Sequence, residues 1–281
     1  MKALDFRKAQ LYMSLHDNVR NSLLQGLSTS EPATVQSLNG SLRLMAKWRS
    51  HLLENTISKE LGTKVLGGPL KGLELGLHSI EGCHTPKILG CYEQPISDYI
   101  TNAISSDYQT VVNVGCAEGY YAIGMARLMP NSLFLAFDIN PKATECCREL
   151  AKKNQVADRV KVASKFSLND LSNLDPKTTL IIVDIEGAED ELLSTNNVPY
   201  LKDFDLIVES HEVVKKGLTN ELCSRYYSTH NIRCIEDNGQ RDLANMPNWF
   251  FKLSHLDQLL CVWEWREGAT PWLIMKSKSR L

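Results

Sequence analysis

Four ionisable side chains stand at the ends of two short apolar runs: Asp184 and Glu186 close TLIIVDIE, and Glu209 and His211 close FDLIVESH. Carboxylates beside an imidazole can hold two reactants in line and take up a proton. His211 is the first candidate for the base, because an unperturbed imidazole titrates near pH 6.5. Blander readings stand beside this one. Carboxylates where a strand meets a helix also cap the helix and complement its dipole, which fits Glu186 and Asp184. A histidine just past a strand can equally be a plain surface residue. Carboxylates with an imidazole also suit Mg²⁺, Mn²⁺ or Fe²⁺, but the sequence fixes no ligand geometry and no metal is assigned. Cys83 and His84 are adjacent yet lack a second Cys/His pair at zinc spacing, so they read as loop.

A second group lies upstream, in Asn113-Val-Gly115-Cys-Ala117-Glu-Gly119-Tyr120-Tyr121. A strand that ends in Gly-x-Ala-x-Gly and runs straight into a helix brings backbone N–H groups against a ligand. Asp138 lies about 20 residues on, at the end of the next strand, where its carboxylate can accept both hydroxyls of a ribose. A nicotinamide dinucleotide would use the same layout, but its fingerprint needs a third Gly or Ala where this chain has Tyr120. A tyrosine there obstructs a pyrophosphate. S-adenosyl-L-methionine has no phosphate and a compact amino-acid end, and it is the expected cofactor.

The elements that position these residues follow from hydrophobic periodicity. Thr110–Gly115, Leu133–Ile139, RVKVA, Thr179–Ile185 and Phe204–Ser210 are short apolar runs separated by helical patterns, and NIRCIED and PWLIMKS follow. Pro141 opens one helix at its first position, another begins near Gly187, one covers Thr219–Tyr227, and His255–Trp265 carries Leu256, Leu259, Leu260 and Trp263 at helical spacing. Strands alternating with helices predict an α/β fold, a Rossmann-like doubly wound and mostly parallel sheet. The last two strands lack a βαβ crossover, which predicts that the last strand is antiparallel. In such sheets ligands bind outside the carboxyl ends of the strands, where all the residues above fall. Before this unit, Arg7–Leu27 and Leu42–Leu61 read as helices, Ser28–Ser41 as a loop, and Gly62–Gly82 as short strands with turns. The expected division is a helical lid or dimerisation segment, 1–87, and a cofactor-binding domain, 88–281. The aromatic cluster Met246–Phe251 is open between substrate cover and core.

VVNVGCAEGYYAIGMA resembles motif I of class I S-adenosylmethionine-dependent methyltransferases, and FDINP resembles their motif II. LIIVDIEGAEDELL is similar to the Asp-x-Glu-Gly-Ala-Glu signature of FkbM-type methyltransferases, and ILGCYEQPISDYI to the Gly-x-Tyr-Glu segment that precedes their first strand. The resemblance runs from Lys87 to Leu193 and more weakly over Phe204–Glu212. It implies that Gly115, Ala117 and Gly119 pack on the methionine and ribose portion and that Asp138 and Asp184 belong to the cofactor site. It also implies that Glu93 and Tyr92 contribute from the incoming segment, and that Lys165, Phe166 and Ser167 lie by the adenine. Asn113 replaces the acid common at that position, so it keeps a hydrogen-bond acceptor and loses a charge.

With 281 residues, 43% hydrophobic and 23% charged, and a formal net charge of −2, the chain has an ordinary globular composition. It lacks a basic field for nucleic acid or an anionic membrane, so no nucleic acid is expected. No run approaches a membrane span, the opening MKALDFRKAQ lacks a signal-peptide core, and none of the eight cysteines falls in a CxxC spacing. A cytoplasmic protein with reduced thiols is expected, acting on a small-molecule substrate, with a homodimer open. The expected activity is O-, N- or C-methylation of a small or carrier-bound metabolite. Two other uses of the same pocket are non-methylating chemistry on S-adenosylmethionine (aminobutyrate transfer or cyclisation) and cofactor sensing without catalysis.

Overall fold

The computed structural model describes residues 6–28 and 34–280. Two long helices open the chain, α1 (Phe6–Ser28) and α2 (Val35–Leu61). Then come α3 (His84–Leu89) and α4 (Ser97–Ile104). The alternating part follows as β1 (Thr110–Val114), α5 (Tyr120–Leu128), β2 (Leu133–Phe137), α6 (Pro141–Lys153), β3 (Val160–Ala163) and β4 (Thr179–Val183). After β4 two single turns, α7 (Glu189–Leu192) and α8 (Val198–Leu201), lead to β5 (Asp205–Glu209), α9 (Leu218–Tyr226) and β6 (His230–Ile235). A short α10 (Asn248–Phe251) and α11 (His255–Val262) precede β7 (Trp272–Ser277).

The seven strands form one sheet in the order β3-β2-β1-β4-β5-β7-β6. β1 to β5 are parallel, and β7 runs antiparallel to both β5 and β6. This is the predicted doubly wound sheet with an antiparallel last strand. Chain order reverses between β1 and β4, so a crevice opens at their carboxyl ends.

Strand residues alternate between two cores, as the period-2 pleat requires. Val111, Phe134, Ala136, Leu180, Ile182, Ile207 and Ile274 face one, with α5, α6 and α11. Val112, Val114, Ile181, Val183, Leu206, Val208 and Leu273 face the other, with α9. The first core crosses residue 87: Leu53 and Ile57 of α2 and the loop residues Val65, Leu70, Leu73 and Leu75 are buried in it. Fully burying one such side chain contributes about 1.5–3 kcal/mol.

Several local expectations change. The second helix starts at Val35, not Leu42, because Thr34 caps it: Thr34 Oγ1 accepts from the Ser37 amide at 3.1 Å, and Ser37 Oγ accepts from the Thr34 amide at 3.2 Å. The predicted loop Ser28–Ser41 therefore ends at the cap, and its residues 29–33 lie outside the described residues. Gly62–Gly82 holds no strands, only one isolated antiparallel bridge, Lys64 to Glu74, since its apolar residues turn inward to the core instead of pairing. Of the pair read as loop, Cys83 stays outside the helix as its N-cap while His84 is the first residue of α3, and both are buried. The helix expected near Gly187 is the single turn α7. Phe250 of the open aromatic cluster is core, whereas Phe251 is exposed. All eight cysteines are free thiols, and among the described residues no helix is long and apolar enough to cross a membrane.

Candidate functional site

The crevice is cut by the turn after β1. Gly115 has φ +79°, and a Cβ there would lie 1.5 Å from the Asp184 carbonyl oxygen, so only glycine lets β1 end against β4. Ala117 also adopts positive φ, 45°. Its amide donates to Asp138 Oδ2 at 2.8 Å, while the Asn140 amide donates to Oδ1 at 2.8 Å. Asp138 thus holds the ends of β1 and β2 together and keeps further lone pairs for a ligand. Gly119 serves differently: a Cβ there would meet Cys147 Sγ and Ile123 Cγ1, each at 2.8 Å. It lets α5 pack close to α6 and lines neither cavity below.

Two cavities flank the turn. The first, of about 560 Å³, is walled by Phe137, Asp138, Ile139, Phe166, Leu168 and the loop after β4. Phe137 and Phe166 meet edge to face with ring centres 5.3 Å apart. Lys165 and Ser167 line the same space. The second, of about 420 Å³, is walled by Tyr92, Glu93, Asn113, Tyr120, Glu209 and His211, among others. Gly115, Asp184, Glu186 and Glu81 belong to both walls. Tyr92, Glu93, Asn113, Gly115, Ala117, Asp184, Glu186, Glu209 and His211, all singled out from the sequence, therefore gather around this junction. Asp138 and Phe166 line the first cavity alone.

The Tyr120 ring packs edge to face on Tyr92 and on Tyr121, centres 5.3 Å apart in each pair, and lines the second cavity.

His211 is no surface residue; its side chain is 5% exposed. Nδ1 lies 2.8 Å from Glu189 Oε1, an oxygen that also accepts from the amides of Ile185 (3.3 Å) and Gly187 (3.1 Å). Nε2 faces Glu186 Oε2 at 3.3 Å, Glu209 Oε2 at 3.5 Å and Asp184 Oδ1 at 3.8 Å. Burial disfavours the charged ring, but the carboxylates of Glu186, Glu189 and Glu209 outweigh it and push His211 up to about 10. The neutral base that an ordinary histidine would supply is therefore not what neutral pH presents here. Burial, reinforced by Glu209 and Glu93, holds the Asp184 carboxyl well above the usual range.

Arg266 was not legible as a site residue, yet it ties the second cavity together. Its guanidinium contacts Glu93 Oε1 at 3.0 Å, Glu264 Oε2 at 3.1 Å, Asp237 Oδ2 at 3.5 Å, and both Glu209 Oε1 and Thr270 Oγ1. Arg241 bridges Asp237 and Glu264 behind it. Glu93 has φ 49°, accepts from the Tyr121 hydroxyl, and is pushed up to about 8 by burial and by Glu209. A signal did exist: a strand antiparallel to β5 must enter the sheet beside the carboxyl end of β5, and Trp272 pairs with Glu209. The loop feeding β7, with Glu264 and Arg266, is thereby delivered to the ligand end. Lys87 and Glu118 form a further buried ion pair beside the second cavity.

No protein-family profile matches the chain, and no curated protein matches it. Among solved structures it is similar to a human methyltransferase 10 domain containing protein (10% identity, 82% of this chain and 96% of that one, TM-score 0.46). It is also similar to an O-methyltransferase from Bacillus cereus in complex with SAH (12%, 80% and 97%, TM-score 0.44). A third is precorrin-6y C5,15-methyltransferase from Geobacter metallireducens (14%, 64% and 87%, TM-score 0.39). At these values the two cavities must carry the functional reading themselves.

Proposed function

We propose that the chain is an S-adenosylmethionine-dependent methyltransferase acting on a small or carrier-bound metabolite. The observation that carries this reading is the charge of the two joined cavities. Among the described residues the first has five carboxyl groups on its wall, Glu81, Asp138, Asp184, Glu186 and Glu191, against one cation, Lys165. Burial raises Asp184 and pushes Glu81 up to about 7, while His211 lowers Glu186, so the wall keeps a negative balance. Such a wall repels the pyrophosphate of a dinucleotide and favours a nucleoside whose sulfonium and ammonium are cationic. Asp138 at the end of β2 suits the ribose hydroxyls, and Phe137, Ile139 and Phe166 offer an apolar slot for the base. The far end of such a ligand reaches Gly115, where the second cavity begins.

In this reading the second cavity takes the methyl acceptor. A lone pair of the substrate forms the new bond to the methyl carbon while the carbon–sulfur bond breaks, its pair staying on sulfur. The proton lost by the nucleophile passes to the carboxylates at the junction. Asp184, Glu186, Glu209 and His211 are proposed to position the two partners, which is the larger part of the catalysis such a displacement needs.

The test is product analysis of the purified chain with methyl-labelled S-adenosylmethionine and a metabolite extract. S-adenosylhomocysteine plus a labelled product is expected. Methylthioadenosine as the main nucleoside product would replace methyl transfer by another use of the cofactor. Binding of NADH with no calorimetric response to S-adenosylhomocysteine would overturn the cofactor itself.

A further inference from the structure

Taking the second cavity as the acceptor site, as proposed above, we infer that the acceptor carries an oxyanion, a carboxylate or a phosphate, and that Lys47 of α2 binds it. The charges on the cavity wall single this residue out. Lys87 pairs with Glu118 at 2.6 Å, Arg266 with Glu93, Glu209 and Glu264, and His211 with Glu186, Glu189 and Glu209. Lys47 is the remaining cation of the wall, and among the described residues no carboxylate pairs with it. Glu267, on the same wall, is taken by Arg43 at 3.1 Å. Lys47 is half-buried, so its ammonium has lost part of its hydration, and an anion brought to it offsets that loss.

The surroundings of Lys47 are held in place against strain. Its ammonium lies over the Trp265 ring, 5.4 Å from the centroid, an attraction that leaves the positive charge uncancelled. Trp265 has φ 65°, a left-handed backbone that is unusual for a bulky side chain, and its Nε1 is a buried donor without a partner. Arg43 holds this turn by donating to the carbonyls of Trp265 and Arg266, and the His51 ring packs edge to face on the indole with centres 4.9 Å apart. Three side chains of α2 thus fix one aromatic wall of the cavity. Backbone strain of this kind persists only where the surrounding structure over-determines it, and it clusters at ligand sites.

Lys47, Trp265 and Glu267 line the second cavity alone, whereas Gly115, Asp184, Glu186 and Glu81 line both. An acceptor whose nucleophile reaches the junction therefore presents a different part of itself to Lys47. The carboxyl groups at the junction repel an anion, and the α2 end attracts it. That polarity turns the reacting atom toward the sulfonium, which is the orientation a displacement needs.

The indole N–H resonance of Trp265 in the isotope-labelled full chain reports on this end of the cavity. Of the five tryptophan signals it is the one lost in Trp265→Phe. Titration with benzoate and with phenyl phosphate is expected to move it, and the tighter of the two identifies the oxyanion. Lys47→Met should weaken that anion about 10-fold or more, and Lys47→Arg should largely keep it. Benzylamine, similar in shape and opposite in charge, should leave the resonance in place. A resonance unmoved by both anions, or moved equally by benzylamine, would overturn the inference. So would an anion affinity that Lys47→Met leaves at wild-type strength. Parallel calorimetry with S-adenosylhomocysteine separates the two readings. Anion binding without a cofactor response sinks the methyltransferase and spares the oxyanion site, and the reverse sinks the oxyanion site alone.

Discussion

Replacing Lys87 by methionine isolates the ion pair that pins the incoming segment to the glycine turn. Lys87 Nζ lies 2.6 Å from Glu118 Oε1, and the two side chains are 3% and 8% exposed. At an effective dielectric near 20, unit charges that close attract by about 6 kcal/mol, against which both groups have lost their hydration. Removing one partner of a buried pair typically costs about 3–5 kcal/mol, because the other charge stays behind. Glu118 Oε2 would keep the amides of Ile80 (3.1 Å) and Glu81 (3.4 Å), so a loss near about 3 kcal/mol is expected. Lys87→Met/Glu118→Gln should recover most of it, since the stranded charge is gone. Burial alone would raise the Glu118 carboxyl, but the Lys87 ammonium outweighs it and lowers it. The pair's contribution is therefore present above the unfolded carboxylate pKa of about 4.3 and lost as pH falls through the lower folded value. Urea unfolding of the three proteins, at pH 7 and below 4, measures this. A single-variant loss under about 1 kcal/mol, or a double variant no more stable than the single, would refute the reasoning.

Three further outcomes are expected. Gly115→Ala forces a Cβ onto the Asp184 carbonyl at a positive φ, and should destabilise by more than about 4 kcal/mol in thermal or urea unfolding. Asp138→Ala removes an acceptor suited to two hydroxyls, each charge-assisted bond worth about 1.5–3 kcal/mol, so S-adenosylhomocysteine affinity measured by calorimetry should fall at least about 100-fold. Burial pushes His84 down to about 4, so between pH 6.5 and 4 the unfolded chain takes up a proton that the native chain refuses. Wild type should lose about 3 kcal/mol over that window from this group, and unfolding of His84→Gln should show a correspondingly flatter pH dependence.

What was legible tracks how local each signal is. The strand runs, Pro141, the Gly115 turn and Asp138 declare themselves within a few residues of sequence, and so did the sheet they build. The helix over Val35–Ser41 was hidden because Ser, Asn and Gly read as loop, while a single cap at Thr34 and packing of the later turns override that propensity. Gly62–Gly82 looked like strands because inward-facing leucines separated by glycines imitate alternation. His211 was found by position, but its charge state was not, since that depends on Glu189 and Glu209 arriving from different elements. Arg266 comes from 57 residues beyond Glu209, and only sheet topology brings them together.

The place of β7 also bears on how the chain is made. Among the described residues β6 pairs with β7 alone, and β5 has β7 on its outer side. While residues 272–277 are still unsynthesised, a nascent chain therefore offers two unpaired strand edges separated by an empty lane. Such edges are ready templates for pairing with other chains. The slot between β5 and β6 closes only when β7 enters it antiparallel to both. The hazard of misassociation during synthesis is thus concentrated in the interval between the emergence of β5 and that of β7.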